Sequence, residues 1–174
     1  MSATEKGLKQ VEDPVRTREK GLRGLTFSRV YSDPSVSPYD AIEWELRTAA
    51  IVAEKGETIF EQKNVEVPKS WSQTATNIVV QKYFHGRMGS PERETSVRQL
   101  IERVAATITG YGEKGGYFKT GADRAAFHDA LAALLIIQVT SVHPTVWLTV
   151  GLYPSPHASS PRIHASLEPL AALP

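Results

Sequence analysis

The sequence predicts an α+β domain, mainly helical, in which a small β-hairpin packs on about three helices. Three observations carry that expectation. Two β-capable runs, Ile42–Val52 and Thr58–Val67, flank Glu54-Lys55-Gly56-Glu57, and Pro68 closes the second. Such a pattern reads as a hairpin turning near Gly56. Apolar residues then recur at helical spacing in three stretches between Ser70 and Gln138, each preceded by a capping or acidic residue. Outside these runs the chain is rich in turn formers and prolines, which favour loops.

Taken in order, Met1–Gly24 mixes Lys and Arg with Glu and Asp, shows no period, and is expected to be a mobile arm. From Leu25 to Pro38, Ser32, Asp33, Pro34, Ser35, Ser37 and Pro38 predict an extended loop. In the second β run, Ile59, Glu61, Lys63, Val65 and Val67 share one side and Phe60 the other, an imperfect alternation. Ser70 or Ser72 can cap a first helix, in which Ala75, Ile78, Val79 and Tyr83 share a face and Gly86 is the stop. Ser96 and Gln99 form a capping-box pair ahead of Val97, Leu100, Ile101, Val104 and Ile108, with Gly110 and Gly112 expected to end that helix. A third helix, about Ala122 to Gln138, carries Phe127, Leu131, Leu134 and Leu135, with Asp123 near its positive end. A short β-capable run, Val146–Val150, follows Pro144. The last 23 residues hold five of the 11 prolines with one acid, Glu168, and one base, Arg162. This tail, residues 152–174, is expected to be disordered, and the ordered unit to run from about Asp40 to Gln138.

Composition narrows the function classes. A chain of 174 residues suits one domain. Lys+Arg 20 against Asp+Glu 19 gives a formal charge of +1, which offers no electrostatic case for nucleic acid or an anionic membrane. The longest apolar stretch, Ala130 to Val139, is interrupted by Gln138 and falls short of the roughly 20 residues that span a bilayer. Lys6, Lys9 and Arg16 are followed by no apolar signal segment, so the cytoplasm is the expected location. Zero cysteines excludes disulfides, thiolate metal sites and thiol chemistry.

Local motifs yield no intrinsic chemistry. Gly110-Tyr111-Gly112-Glu113-Lys114-Gly115 matches G-x-G-x-x-G, but a dinucleotide site needs a strand before it and a helix after it. Here a helix precedes, and a flexible connector between helices is the better account. Gly116 to Gly121 has P-loop glycine spacing, but Ala122 replaces the phosphate-binding Lys. Among His85, His128, His143, His157 and His164 no pair has the i, i+4 spacing of a shared metal. His128 and Asp129 are adjacent, hence on different helix faces, and no G-x-S-x-G elbow is present. Trp44, Trp71 and Trp147 sit beside apolar positions and read as core.

A longer ordered series says more. SWSQ-x-ATNIV-x-QKYF-x-G (Ser70–Gly86), SVRQLI-x-RV (Ser96–Val104) and A-x-F-x-x-x-L-x-ALL (Ala125–Leu135) follow one another at fixed spacing. With PYDAIEWELRTAAI (Pro38–Ile51), they resemble the N-terminal domain of the adenosylcobalamin-dependent (class II) ribonucleotide reductases, over roughly Gly24 to Gly151. The resemblance implies a mainly helical domain that precedes a ten-stranded α/β barrel. It implies an enzyme that homolyses adenosylcobalamin, raises a thiyl radical on a cysteine, and reduces ribonucleoside diphosphates to deoxyribonucleotides with two further cysteines. This chain has none of those cysteines, so it is expected to be inactive alone. Where the family reads LL-x-NQ-x-x-x-x-NSPVWFNVG, the chain reads LLIIQVTSVHPTVWLTVG (Leu134–Gly151). His143, Pro144 and Thr145 thus occupy the family's substrate-binding loop. Pro144 offers neither hydroxyl nor N–H, and Thr145 carries a hydroxyl one residue later. A truncated reading frame ending in non-family residues is the expectation, with a module that docks on a complete reductase as the alternative. Without a barrel, the face around Leu131, Leu134 and Leu135 should be under-buried and favour self-association.

Overall fold

In the computed structural model, which describes residues 24–152, the order is β1 (Trp44–Val52), β2 (Thr58–Pro68), α1 (Gln73–Tyr83), α2 (Val97–Lys114), α3 (Gly121–Ile136) and α4 (Pro144–Thr149). The expected arm before Gly24 and tail after Leu152 lie outside the described residues. The two strands form an antiparallel hairpin running from Trp44↔Pro68 to Val52↔Thr58, and Gly56 in its turn takes φ 83°. Between Arg47↔Val65 and Ala49↔Gln62 the register shifts, so that Lys63 and Asn64 oppose Thr48 alone. Asn64 sits at φ 55°, a left-handed conformation that Asn tolerates better than most residues. This bulge inverts the alternation. Gln62 is buried and Phe60 packs on the core before it; Val65 and Val67 are buried after it. The expected shared face of Ile59 with Val65 and Val67 is therefore wrong, and Ile59 is exposed.

The free edge of β1 is covered by side chains of α1. Asn77 Oδ1 accepts from the Ala50 amide at 3.2 Å, and Gln73 Nε2 donates to Thr48 O at 2.9 Å and to Asn77 Oδ1 at 2.7 Å. Two polar residues one turn apart thus satisfy backbone groups that would otherwise template another strand. Ser72 caps α1 by accepting from the Ala75 amide. Thr76 and Val80 face the core, whereas Ile78, expected on the buried face, is exposed.

Helix α2 is the central element. Its capping box of Ser96 and Gln99 forms as predicted, and Val97, Leu100, Ile101, Val104, Ala105 and Thr109 are buried. It does not stop at Gly110 or Gly112 but continues to Lys114, where Gly115 donates its N–H to Tyr111 O. The absent side chain at Gly112 is used rather than wasted, because a Cβ there would lie 2.8 Å from the Phe118 ring. The G-x-G-x-x-G string is consequently the last turn of a helix and not a connector. Helix α3 starts from a Thr120 cap and ends at Ile136, with Gln138 at φ 58°. Leu135 and Ile136 belong to the core, and Leu131 packs against it, so the face expected to lie under-buried is mostly covered within the domain.

Residues 25–39 dock along α3 and α2. Leu25 pairs in parallel with Phe118. The Phe27 amide donates to Asp123 Oδ1 at 2.8 Å, and the Phe27, Phe118 and Phe127 rings meet with centroids 5.3–5.7 Å apart. Arg29 Nη1 donates to Asp129 Oδ2 at 2.7 Å.

Polar groups close the other side. Arg93 Nε donates to Gln62 Oε1 at 2.9 Å, its Nη1 to Phe84 O at 2.7 Å and its Nη2 to Val80 O at 2.6 Å. Gln62 Nε2 in turn donates to Glu94 O at 2.9 Å. Glu94 Oε1 accepts from Arg103 Nε at 2.8 Å and Glu94 Oε2 from the His85 amide at 2.7 Å, and the pair's side chains are only 10–12% exposed. Arg103 Nη1 continues to Trp147 O at 3.1 Å and Val150 O at 2.7 Å. These contacts fix α4, a helix where the sequence predicts a strand at Val146–Val150. His143 caps it and Pro144 opens its first turn, a position that suits proline.

Three outcomes follow from this arrangement. Gly86 (φ 84°) would place a Cβ 2.5 Å from Glu92 O, while Gly56 (φ 83°) has open space around it. Gly56→Ala should cost only the left-handed strain, about 1–2 kcal/mol, and Gly86→Ala clearly more, as read by urea unfolding. Glu94→Gln should destabilise by on the order of 3 kcal/mol, because it leaves a buried guanidinium unpaired; a change under about 0.5 kcal/mol would contradict the role given to the pair. The Thr120 hydroxyl and then the Phe27 amide hold the Asp123 carboxyl below the usual carboxylate range. A depressed folded-state pKa stabilises above the unfolded value and is lost as pH falls through the folded one. Protection of the Phe27 amide should persist at pH 5–7 and fail only on acidification below about pH 4, as followed by NMR exchange.

Candidate functional site

His143, Pro144 and Thr145, the residues expected to form a substrate loop, come together at the N-terminus of α4. His143 is exposed; its Nδ1 lies 2.9 Å from Thr145 Oγ1 and accepts from the Thr145 amide at 3.4 Å. The Thr145 carbonyl receives Thr149 Oγ1 at 2.7 Å. The one hydroxyl in this loop is thus engaged by the imidazole beside it, and Pro144 adds no donor.

Of the three, Pro144 also lines a cleft of about 220 Å³. Its walls are Trp71, Tyr83, Leu100, Leu135 and Trp147, with Gln138, Thr140 and Ser141 among its polar lining. Each wall has a local cause. Trp71 is pinned because its Nε1 donates to Ile136 O at 2.7 Å, Leu100 comes from the buried stripe of α2, and Trp147 is carried by α4, which Arg103 holds at its carbonyl end. The expectation that the tryptophans pack in or on the core agrees with the structure: Trp71 is buried, and Trp44 and Trp147 lie against the core. The cleft is apolar, and the only ionisable side chain lining it is the Tyr83 phenol. It offers shape for an apolar group but no acid–base pair in reach of one another.

The histidine reading needs one correction. His128 and Asp129, expected on separate faces, meet at 3.3 Å (Nδ1 to Oδ1), and His128 Nε2 lies 3.4 Å from Glu102 Oε2. Tyr39 Oη donates to Glu102 Oε2 at 2.8 Å, and burial together with that carboxylate pushes the phenol pKa up, so it stays protonated. This chain of polar groups ties residues 29–39 to α2 and α3 and opens into none of the clefts described. Among the described residues no group of three or more His, Cys, Asp or Glu side chains is placed to hold a metal ion. No described helix is long and apolar enough to cross a membrane.

Sequence reasoning missed Arg93, Glu94 and Arg103. The available signal was their position inside the ordered series RETSVRQLIERV, with Arg103 one turn beyond Leu100 at the edge of the apolar stripe. Spacing alone could not show that α4 carbonyls would be its partners.

The family model described as class II vitamin B12-dependent ribonucleotide reductase matches residues 45–138, more than half of the chain. A vitamin B12-dependent ribonucleotide reductase of Rhodopirellula baltica is 43% identical over 153 residues, covering 86% of this chain and 15% of the relative. One from Streptomyces clavuligerus is 42% identical over 133 residues, covering 76% and 14%. One from Bradyrhizobium diazoefficiens is 29% identical over 162 residues, covering 74% and 13%. The chain therefore spans about one seventh of the length of the curated relatives it matches. A hairpin closed by four helices, the ordered motifs that build it, and these matches lead to one assignment: the chain belongs to the class II vitamin B12-dependent ribonucleotide reductase family and corresponds to its N-terminal domain.

Proposed function

We propose that this chain serves as the N-terminal part of a B12-dependent ribonucleoside-diphosphate reductase and supplies scaffold rather than chemistry. The reaction implied by the family is thiyl-radical reduction of ribonucleotides to deoxyribonucleotides, for DNA precursor synthesis, in the cytoplasm. One observation carries the view that this chain is inactive alone: none of its 174 residues is cysteine, and a thiyl radical and its reducing dithiol both need that residue. On this reading His143, Pro144 and Thr145 stand where the family holds substrate phosphates, in degraded form. Their hydroxyl is engaged by the neighbouring imidazole.

Adenosylcobalamin does not fit the described residues. Ordinary ligand pockets measure roughly 300–1,000 Å³ for drug-sized molecules, and a corrinoid is larger than those ligands, whereas the clefts described here measure only about 220 and 390 Å³. In this proposal the cofactor belongs to the complete enzyme, and no step of its chemistry is assigned to this chain.

A second reading is favoured by Ile137, Val139 and Leu148. They are 50%, 67% and 48% exposed and are chain neighbours of residues lining the cleft. Exposed apolar side chains beside an apolar cleft suit an interface, so the chain would act as a non-catalytic module docking on a reductase barrel or on itself.

Purified protein given adenosylcobalamin, a dithiol and ribonucleoside diphosphates should show no turnover; product above background would overturn the scaffold proposal. Co-purification with a longer reductase chain would select the docking reading, and a stable monomer at all concentrations with no such partner would count against it.

A further inference from the structure

Helix α4 lacks the means to hold itself. It has six residues, Pro144–Thr149, and none of them is buried, whereas isolated helices shorter than about 12–15 residues are marginal in water. Besides the packing of Val146 and Trp147 against the core, it has a cation at its carbonyl end. Arg103 Nη1 donates to Trp147 O and Val150 O, while the same guanidinium is held by Glu94 at 2.8 Å and reaches Tyr83 O at 3.4 Å. Positive charge at a helix C-terminus is favourable, and hydrogen bonds from a charged donor are the stronger kind.

A second, independent feature lies at the same spot. Gly151, at φ 80°, brings the chain so close to α2 that a Cβ would lie 2.5 Å from Arg103 Cγ and 2.8 Å from Thr107 Oγ1. The Thr107 hydroxyl is turned inward, donating to Arg103 O at 2.6 Å. The chain leaving α4 is thus seated directly on the arginine that binds the helix's last carbonyls.

We infer that Arg103, with Gly151, is a positioning residue that folds α4 and sets the direction in which residues 143–145 are presented and the chain departs. Helix α4 is then a conditional helix, formed only while the Glu94–Arg103 pair is in place. The consequence for a substrate loop rests on the function proposed above. The latch itself is a property of this chain and is tested on it alone, so failure of one is distinguishable from failure of the other.

The test is hydrogen exchange on the full chain, comparing R103K and G151A with the wild type. Lysine keeps the charge beside Glu94 but lacks the planar fork that reaches two carbonyls as well. In R103K, exchange in a peptide covering residues 144–152 should rise at least about tenfold, with peptides from α2 and β2 unchanged. The Trp147 indole resonance should shift while those of Trp44 and Trp71 do not, a selectivity that general loosening would not give. G151A should reproduce the effect without altering any charge. Wild-type exchange at 144–152 in R103K overturns the inference. Should R103K loosen the whole domain, G151A decides: selective exchange at 144–152 sustains the latch, and unchanged exchange there overturns it.

Discussion

A guanidinium taken out of water must recover its hydration from fixed acceptors, and the domain is arranged around two such groups. Arg93 finds Gln62 and the carbonyls at the end of α1; Arg103 finds Glu94 and the carbonyls at the end of α4. Burial lowers the pKa of Arg93, yet arginine remains charged at any pH a protein meets. Because neither cation can be neutralised, every element contributing an acceptor is constrained to stay. The pair of adjacent residues Arg93 and Glu94 thereby joins β2, α1, α2 and α4, which hydrophobic contact alone would leave free to slide.

That constraint also explains how the domain covers its apolar surface. Leu100, Leu135 and Ile136 are buried, the hairpin borrows burial from the helices, and residues 25–39 close the remaining side through Phe27, Arg29 and Tyr39. The cleft beside α4 stays open, with Ile137, Val139 and Leu148 exposed around it.

Elements with local causes were legible in the sequence. The Ser96–Gln99 box, the Ser72 cap and the turn at Gly56 involve residues within a few positions of each other, and all three appear in the structure. Misreadings occurred where a distant partner decides. Val146–Val150 has β-forming side chains, but residues 144–149 are helical, and the carbonyls of Trp147 and Val150 meet Arg103, more than 40 residues earlier. Gly110 and Gly112 are helix breakers locally, yet the Phe118 ring occupies the space Gly112 leaves. The bulge at Asn64 reverses which side of β2 is buried, and only pairing with β1 reveals it. Of the candidate site, the ordered motifs only point to residues 143–145 as a candidate loop; that Thr145 is engaged by His143 was not legible, since it depends on the helical turn they share.

The central claim is that Glu94 and Arg103 act as one unit rather than as two separate charges. A double-mutant cycle with Glu94→Gln, Arg103→Met and the combined variant measures this directly through urea unfolding. Coupled partners in one network show interaction energies of about 0.5–3 kcal/mol. The account predicts a value in the upper half of that range, with the double variant far less destabilised than the sum of the single ones. Simple additivity would contradict it.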